Sequence, residues 1–422
     1  MGITREEQLL KSVATGVASY IKPITREEQY LSYIGGGSSV LPAQPITRKE
    51  VLLDTIAKNG IGSGGGGGVT INNQDKTITE NGTYTADEGY TGLGTVTVDV
   101  ASSGENRLNA LLQNKITEIT EADFEGITSV SYGAFNNATS IKKVRIPKSL
   151  AAINTGLFTS VEVEDVYAHD LSTWMCIYFA SASANPLCGS RTAAYSSASN
   201  LYLNNTLLTD LVIPNDITAI KNYSFTNCRS LLSITIPEWV TSVGSRAFAA
   251  CVNVHTFNFN AVSLPDTSNS NAPFEGIGVN AEELVVNIGK MVEKIPAYFM
   301  FGESATRYPP VRTINFEEGC VCSRIGKTAF SYCFDLETIS IPQGVSTIYE
   351  RVFYNCTSLR KIDFSNHTTV PTLSNANAFQ NVPSTCKVII PDTLYDEWIN
   401  ATNWSSLTVT YVKKSEYVEE DA

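Results

Sequence analysis

From residue 115 onward the apolar positions of this chain recur at a fixed interval. Phe135 and Phe158 lie 23 residues apart, as do Phe225 and Phe248, Phe330 and Phe353, Cys228 and Cys251, Cys333 and Cys356, and Pro214 and Pro237. The unit is clearest in Leu211-Val212-Ile213-Pro214, Ile217, Ile220, Ser224-Phe225-Thr226-Asn227-Cys228, Leu231 and Ile234-Thr235-Ile236-Pro237. It recurs in Ile325-Gly326, Ala329-Phe330, Cys333, Leu336, Ile339 and Ile341-Pro342. Alternation in Ser233-Ile234-Thr235-Ile236 predicts a short strand with its isoleucines inward, beside the Phe and Cys of the returning segment. One such unit cannot bury its own apolar face, so the repetition predicts a solenoid of stacked turns. Degenerate turns are expected around Phe274 and Leu284-Val285-Val286, around Phe299 and Val311 to Phe316, and near Phe379 and Val388 to Pro391. The period suggests about nine turns.

Upstream the pattern is different. Ile3-Thr4-Arg5-Glu6-Glu7, Ile24-Thr25-Arg26-Glu27-Glu28 and Ile46-Thr47-Arg48-Lys49-Glu50 recur at spacings of 21 and 22 residues. The pairs Thr4 and Glu7, Thr25 and Glu28, and Thr47 and Glu50 have capping-box spacing, in which the two side chains satisfy free backbone donors at a helix start. Leu9-Leu10, Tyr30-Leu31 and Val51-Leu52-Leu53 follow, and Gly16, Gly35 and Gly60 stand where each helix should stop. Helices of about a dozen residues do not hold alone in water. They are expected to be amphipathic tabs docking on neighbouring subunits, with a self-packed helical knot as the alternative.

Six segments result: helical tabs over 1–59, a Gly-rich tether over 60–68, a small β segment over 69–100, and a linker with a short helix over 101–115. The solenoid occupies 116–391, with strands joined by irregular or helical returns, and a cap and tail occupy 392–422. Leu108, Leu111 and Leu112 form a stripe too short for a lone helix. Residues 1–115 are therefore expected to associate, as a trimer if the protein is a fibre.

Charge narrows the partners. Lys plus Arg number 30 against 42 Asp plus Glu, a net −12, and no basic run interrupts this acidity. That argues against nucleic acid and against an anionic membrane surface. No stretch is long and apolar enough to predict a membrane span. The first residues, MGITREEQLLKSVATG, carry acids and no apolar core of a secretory signal. Nine cysteines is an odd count, and reduced thiols are the expectation.

Neither catalytic chemistry nor a metal or cofactor site is expected. His169, His255 and His367 are far apart in sequence and read as surface or repeat-edge residues. Cys320 and Cys322 lack the spacing and second pair of a zinc site. Gly326-Lys327-Thr328 ends like a phosphate loop but falls on the repeat's own Ile-Gly-x-x-Ala-Phe. Glu317-Glu318 is a carboxylate pair of the kind an acidic surface forms by chance. Cys228, Cys251, Cys333 and Cys356 share one repeat phase, which core packing explains.

The repeated Leu-x-x-Ile-x-Ile-Pro and Ile-Gly-x-x-Ala-Phe-x-x-Cys resemble the BspA-type leucine-rich repeats over about residues 116–410. The insert from Asp170-Leu171-Ser172-Thr173-Trp174 through Asn185-Pro186-Leu187 to Leu201-Tyr202-Leu203-Asn204 resembles a recurring variant of that family. Ile390-Pro391-Asp392 to Ala401-Thr402-Asn403-Trp404-Ser405 resembles its terminal cap. The resemblance implies a leucine-rich-repeat fold and an adhesive role. The tabs, the tether and NGTYTADEGYTGLGTVTVDV resemble virion structural proteins of phages that infect gut Firmicutes.

With no export signal in view, the sequence reading is a virion fibre, receptor-binding or decoration protein. Its N-terminal region would bind other virion proteins, and its solenoid a host-surface glycan or protein. A bacterial surface adhesin of the same repeat type is the alternative, and a tailspike-type glycan hydrolase the third reading. Phe301, Arg307 and Tyr308, in an expanded turn, are the candidate receptor contacts, since aromatics beside an Arg are enriched in recognition patches. The alternative for Phe301 and Tyr308 is that they fill the gap the longer turn leaves.

Overall fold

The computed structural model describes residues 141–419 except 147, 149, 154–157, 159–160, 189–198 and 303–307. It adds the backbone of the short strands Val69–Ile71, Tyr84–Ala86, Glu118–Ile119 and Ser129–Val130. All of these belong to the second of two units, Gly68–Ala422. The tabs with Thr4, Glu7, Thr25, Glu28, Thr47 and Glu50, the tether and the Leu108 helix lie outside the described residues.

Nine strands form one parallel sheet in chain order. They are β1 (Asp210–Val212), β2 (Ser233–Ile236), β3 (Thr256–Phe259), β4 (Leu284–Ile288), β5 (Val311–Phe316), β6 (Thr338–Ser340), β7 (Lys361–Asp363), β8 (Lys387–Ile390) and β9 (Thr410–Lys413). Asp210 pairs with Ser233 and Ser233 with Thr256, so the 23-residue period is the strand register itself. Upstream, Glu118–Ile119, Lys143–Arg145, Asp165–Ala168 and Asn200–Leu203 stack in the same parallel way. There are therefore more rungs than the nine or so that the Phe and Cys period suggests. The strand at Asp165–Ala168 opens the irregular insert, and β9 lies in the cap, where the Phe-x-x-Cys signature is missing.

Each turn is built from the same local physics. β1, β2, β6 and β8 end at an Ile-Pro step, because proline offers no N–H to the ladder. After β1, β2 and β6 the proline carbonyl then closes a turn, accepting from Ile217 N at Pro214, Val240 N at Pro237 and Val345 N at Pro342. A second short strand follows, and these stack too, as in Lys294–Ile295, Arg324–Ile325, Thr347–Ile348 and Thr372–Leu373. The glycine after this strand is required by close approach. A Cβ on Gly326 would meet the backbone nitrogen of Ala297 at 2.6 Å.

The returning segment carries the core. Phe225, Phe248, Phe274, Phe299, Phe330, Phe353, Phe379 and Trp404 form an unbroken series of ring contacts, with centroids between 5.3 and 6.2 Å apart. Beside it run the thiols. Cys251 Sγ donates to Phe225 O at 3.1 Å and Cys356 Sγ to Phe330 O at 3.2 Å, each across one turn. None of the nine cysteines is in a disulfide, and all but Cys176 are buried. The in-phase cysteines are thus core residues.

Two devices flank the nine-stranded sheet. The insert carries a short helix, Leu171–Cys176, capped by Asp170, which accepts from Thr173 N at 2.8 Å. Trp174 Nε1 and Asn185 Nδ2 donate to Ser224 O at 3.0 and 3.3 Å, tying the insert to the first regular turn. The upstream sheet ends there in a hairpin between Asn200–Leu203 and Thr206–Leu207, with Asn204 and Asn205 at φ +48° and +62°, the left-handed pair that a two-residue turn needs. At the other end Trp398 and Trp404 are buried against Phe364, and Trp404 Nε1 donates to Pro371 O at 2.7 Å.

Candidate ligand-binding face

Stacking fixes the inward residues, so the chain's freedom lies on the outward face of the nine strands. In β2 and β3, Ile234, Ile236, Phe257 and Phe259 point in, while Ser233, Thr235, Thr256 and Asn258 point out. One outward row runs in register through Thr235, Asn258, Asn287 and Asn315. Asn315 Nδ2 donates to Asn287 Oδ1 at 3.0 Å, Asn287 Nδ2 to Asn258 Oδ1 at 2.8 Å, and Asn258 Nδ2 to Thr235 Oγ1 at 3.0 Å. This is an amide ladder with a single polarity.

A groove of about 330 Å³ lies along the ladder, lined further by Asn260, Ile288, Gly289, Phe316 and Glu317. The Asn260 amide packs closely on Gly289, where a Cβ would strike its oxygen. Glu317 Oε2 accepts from Lys290 N at 2.9 Å, which pins the carboxylate at the edge. The lining holds one carboxylate and no cation.

The upstream sheet and the C-terminal strands differ from this stretch. Toward the N-terminus, Arg145 lies 4.1 Å from the Tyr167 ring centroid, and Tyr167 stacks on Tyr202 at 4.6 Å. Toward the C-terminus the chain covers itself. Lys361 Nζ bonds Glu419 Oε1 at 2.8 Å, which raises the lysine's pKa and lowers the carboxyl's. The Tyr417 ring lies 5.6 Å from Lys361 Nζ and 5.9 Å from Lys387 Nζ. The face is left open from β1, where Val212 is exposed, to β6, where Ser340 is, and its polar groove lies over β2 to β5.

The residues singled out in the expanded turn have separate fates. Phe301 is only 7% exposed, its ring edge-on to Tyr298 at 5.3 Å, so it fills the gap of the longer turn and offers no face to a partner. Tyr308 is half-buried and packs edge-on to Phe334 at 4.7 Å. Arg307 lies outside the described residues. The asparagine row was not singled out in the sequence, although three Asn at outward strand positions are the signal that could have found it.

The histidines also divide. His169 and His255 are exposed, the latter 3.0 Å from Thr256 Oγ1. His367 is not a surface residue. It is buried against Phe364 and Trp398, with Nδ1 3.2 Å from Phe364 O, and burial lowers its pKa. Cys320 and Cys322 donate to the Gly289 and Arg324 carbonyls, at 3.5 and 3.4 Å. Lys327 pairs with Glu350 at 2.6 Å as a surface rung. Among the described residues no three His, Cys, Asp or Glu side chains converge as a metal site, and no helix is long and apolar enough to cross a membrane.

Comparison with known proteins follows the fold. Three solved structures are similar: a leucine-rich repeat protein from Bacteroides ovatus at 16% identity, one from Eubacterium ventriosum at 17%, and a leucine rich cell surface protein from Faecalibacterium prausnitzii at 17%. The matches cover 82%, 71% and 81% of this chain and 91%, 74% and 90% of those chains, with TM-scores of 0.35, 0.36 and 0.29. No curated protein matches the chain. The assignment rests on the repeat itself. The family described as BspA type leucine rich repeat region matches in six copies over residues 97–176, 197–273 and 286–415, well over half of the sequence. With its motif, its register and its aromatic and thiol ladders in agreement, the chain belongs to the BspA-type leucine-rich-repeat family.

Proposed function

We propose that this protein is a non-enzymatic adhesin of the BspA-like type, displayed on a bacterial surface and binding through the outward face of its strands. The observation that carries the reading is the open polar face over β2 to β5, with a groove that the fold does not itself need. A residue facing water in a solenoid strand is free of the stacking constraint, which is why such faces serve recognition. Family membership supports the adhesive class.

The virion reading draws on the repeats around Thr4, Thr25 and Thr47, which lie outside the described residues, and on nothing in the solenoid. It is the second reading, and one experiment separates the two. Cells of the source organism are treated with protease while intact and then fractionated. Loss of the chain from whole cells supports surface display. Recovery of the chain in sedimentable particles carrying portal and tail proteins would replace it with the virion reading.

A further inference from the structure

We infer that the amide groove over β2 to β5 binds a neutral, hydroxyl-rich oligosaccharide, an inference that rests on the adhesion reading and names the ligand class of the same face.

The argument starts from what the ladder leaves unused. A primary amide has two N–H donors and an oxygen with two lone pairs. In the row, Asn258, Asn287 and Asn315 each spend one N–H on the neighbour below, and Asn258 and Asn287 each spend one lone pair on the neighbour above. That fixes each amide's orientation and leaves donor and acceptor capacity on every member. The spare groups repeat at the strand spacing of about 4.8 Å. Sugar hydroxyls, each at once donor and acceptor, match such a row, and a partner carrying only one kind of group would leave half of it unpaired.

Charge and shape point the same way. The lining has no Lys or Arg to neutralise a phosphate, sulfate or carboxylate, and Glu317 stands at the edge to repel one. Glu317 is a strong acceptor for hydroxyl donors, and Phe316, also lining the groove, gives an apolar surface beside the polar row. The ladder is also confined to the groove. Beyond it the same row holds Val212 at one end, paired with Thr235, and on β7 to β9 holds Asp363, Ile389 and Val412. Asparagine is a poor strand former. Three in register where the groove lies, with the Asn260 amide seated closely on Gly289, are a local feature and no requirement of stacking.

The test uses the full chain on an array of neutral hexose and N-acetylhexosamine oligosaccharides, with sulfated and sialylated ones alongside. Retention on neutral members, little changed by added salt, is expected. Asn287→Val and Asn315→Val should each weaken it at least tenfold while leaving the melting temperature within a few degrees, whereas Thr338→Val should leave binding unchanged. Retention only on anionic members, indifference to both Asn variants, or no neutral member retained would overturn the inference. If the array is silent but intact cells still capture the chain in an Asn287-sensitive way, the glycan class fails and adhesion stands. If cells capture nothing, the adhesion reading fails as well.

Discussion

The rings of Phe225 and Phe248 stack with centroids 5.3 Å apart and planes 1° from parallel, though 23 residues of chain separate them. Each ring completes a surface that its own turn leaves open, so the series couples neighbouring turns into one cooperative core. Phe248 touches Phe225 on one side and Phe274 on the other and is fully buried. Phe248→Ala should therefore cost about 3–5 kcal/mol. Urea unfolding with an unchanged m-value would check this, and a cost below about 1 kcal/mol would mean the turns do not depend on the ladder.

The thiols make a second prediction. Cys251→Ala or Cys333→Ala removes a small buried group and a weak hydrogen bond, at a cost of about 1–2 kcal/mol. A thiol reagent should react with Cys176 in the native protein and with the others only on unfolding, and reductant should leave the melting temperature unchanged. Burial pushes Cys228 up to about 11 and Cys322 and Cys386 up to about 12, from an ordinary 9.0. These groups keep their protons in the fold and lose them in the unfolded chain. Their contribution is full below pH 9 and declines above it. Stability that rises with pH through that range would contradict the buried thiols.

At the acid end the sensitive group is His367. Burial against Phe364 and Trp398 lowers its pKa below the ordinary 6.5, so the unfolded chain binds the proton more readily. Stability is complete above that ordinary value and is lost as pH falls from it toward the folded value. Asp363, a nearby carboxylate, pulls the other way, but desolvation is the larger cause. His367→Leu should flatten the pH dependence below the ordinary value of 6.5. An unchanged slope in that variant would place the acid sensitivity elsewhere.

The architecture was legible in the sequence because Phe, Cys and Ile-Pro sit at positions stacking fixes. Their 23-residue interval is the strand register, so counting residues amounted to reading the sheet. The groove was not legible, for the opposite reason. Asn258 pairs with Asn287 and Asn287 with Asn315 across two expanded turns, so the row follows no constant interval. Outward positions also answer to no packing rule that a single sequence exposes. Phe301 fills the gap of its turn because Met300, whose N–H bonds Ala329 O, takes the slot that Phe330 fills one turn later. The extra aromatics there are surplus to the period and were drawn into the core.

The claim that the outward strand face is the recognition surface is tested most directly by placing an arginine at one outward position at a time. Positions would run along the face, at Val212, Asn287, Asn315 and Ser340, with Thr241 and Tyr308 as controls on the turns, and capture of each variant by intact target cells would be measured. None of the four face positions is in the buried core, so melting temperatures should hold within a few degrees. Loss of capture at Asn287 and Asn315, a smaller loss at Val212 and Ser340, and full capture by the turn variants is the predicted result. Capture that survives at Asn287 and Asn315 but falls at Thr241 or Tyr308 would contradict it and move recognition to the turns.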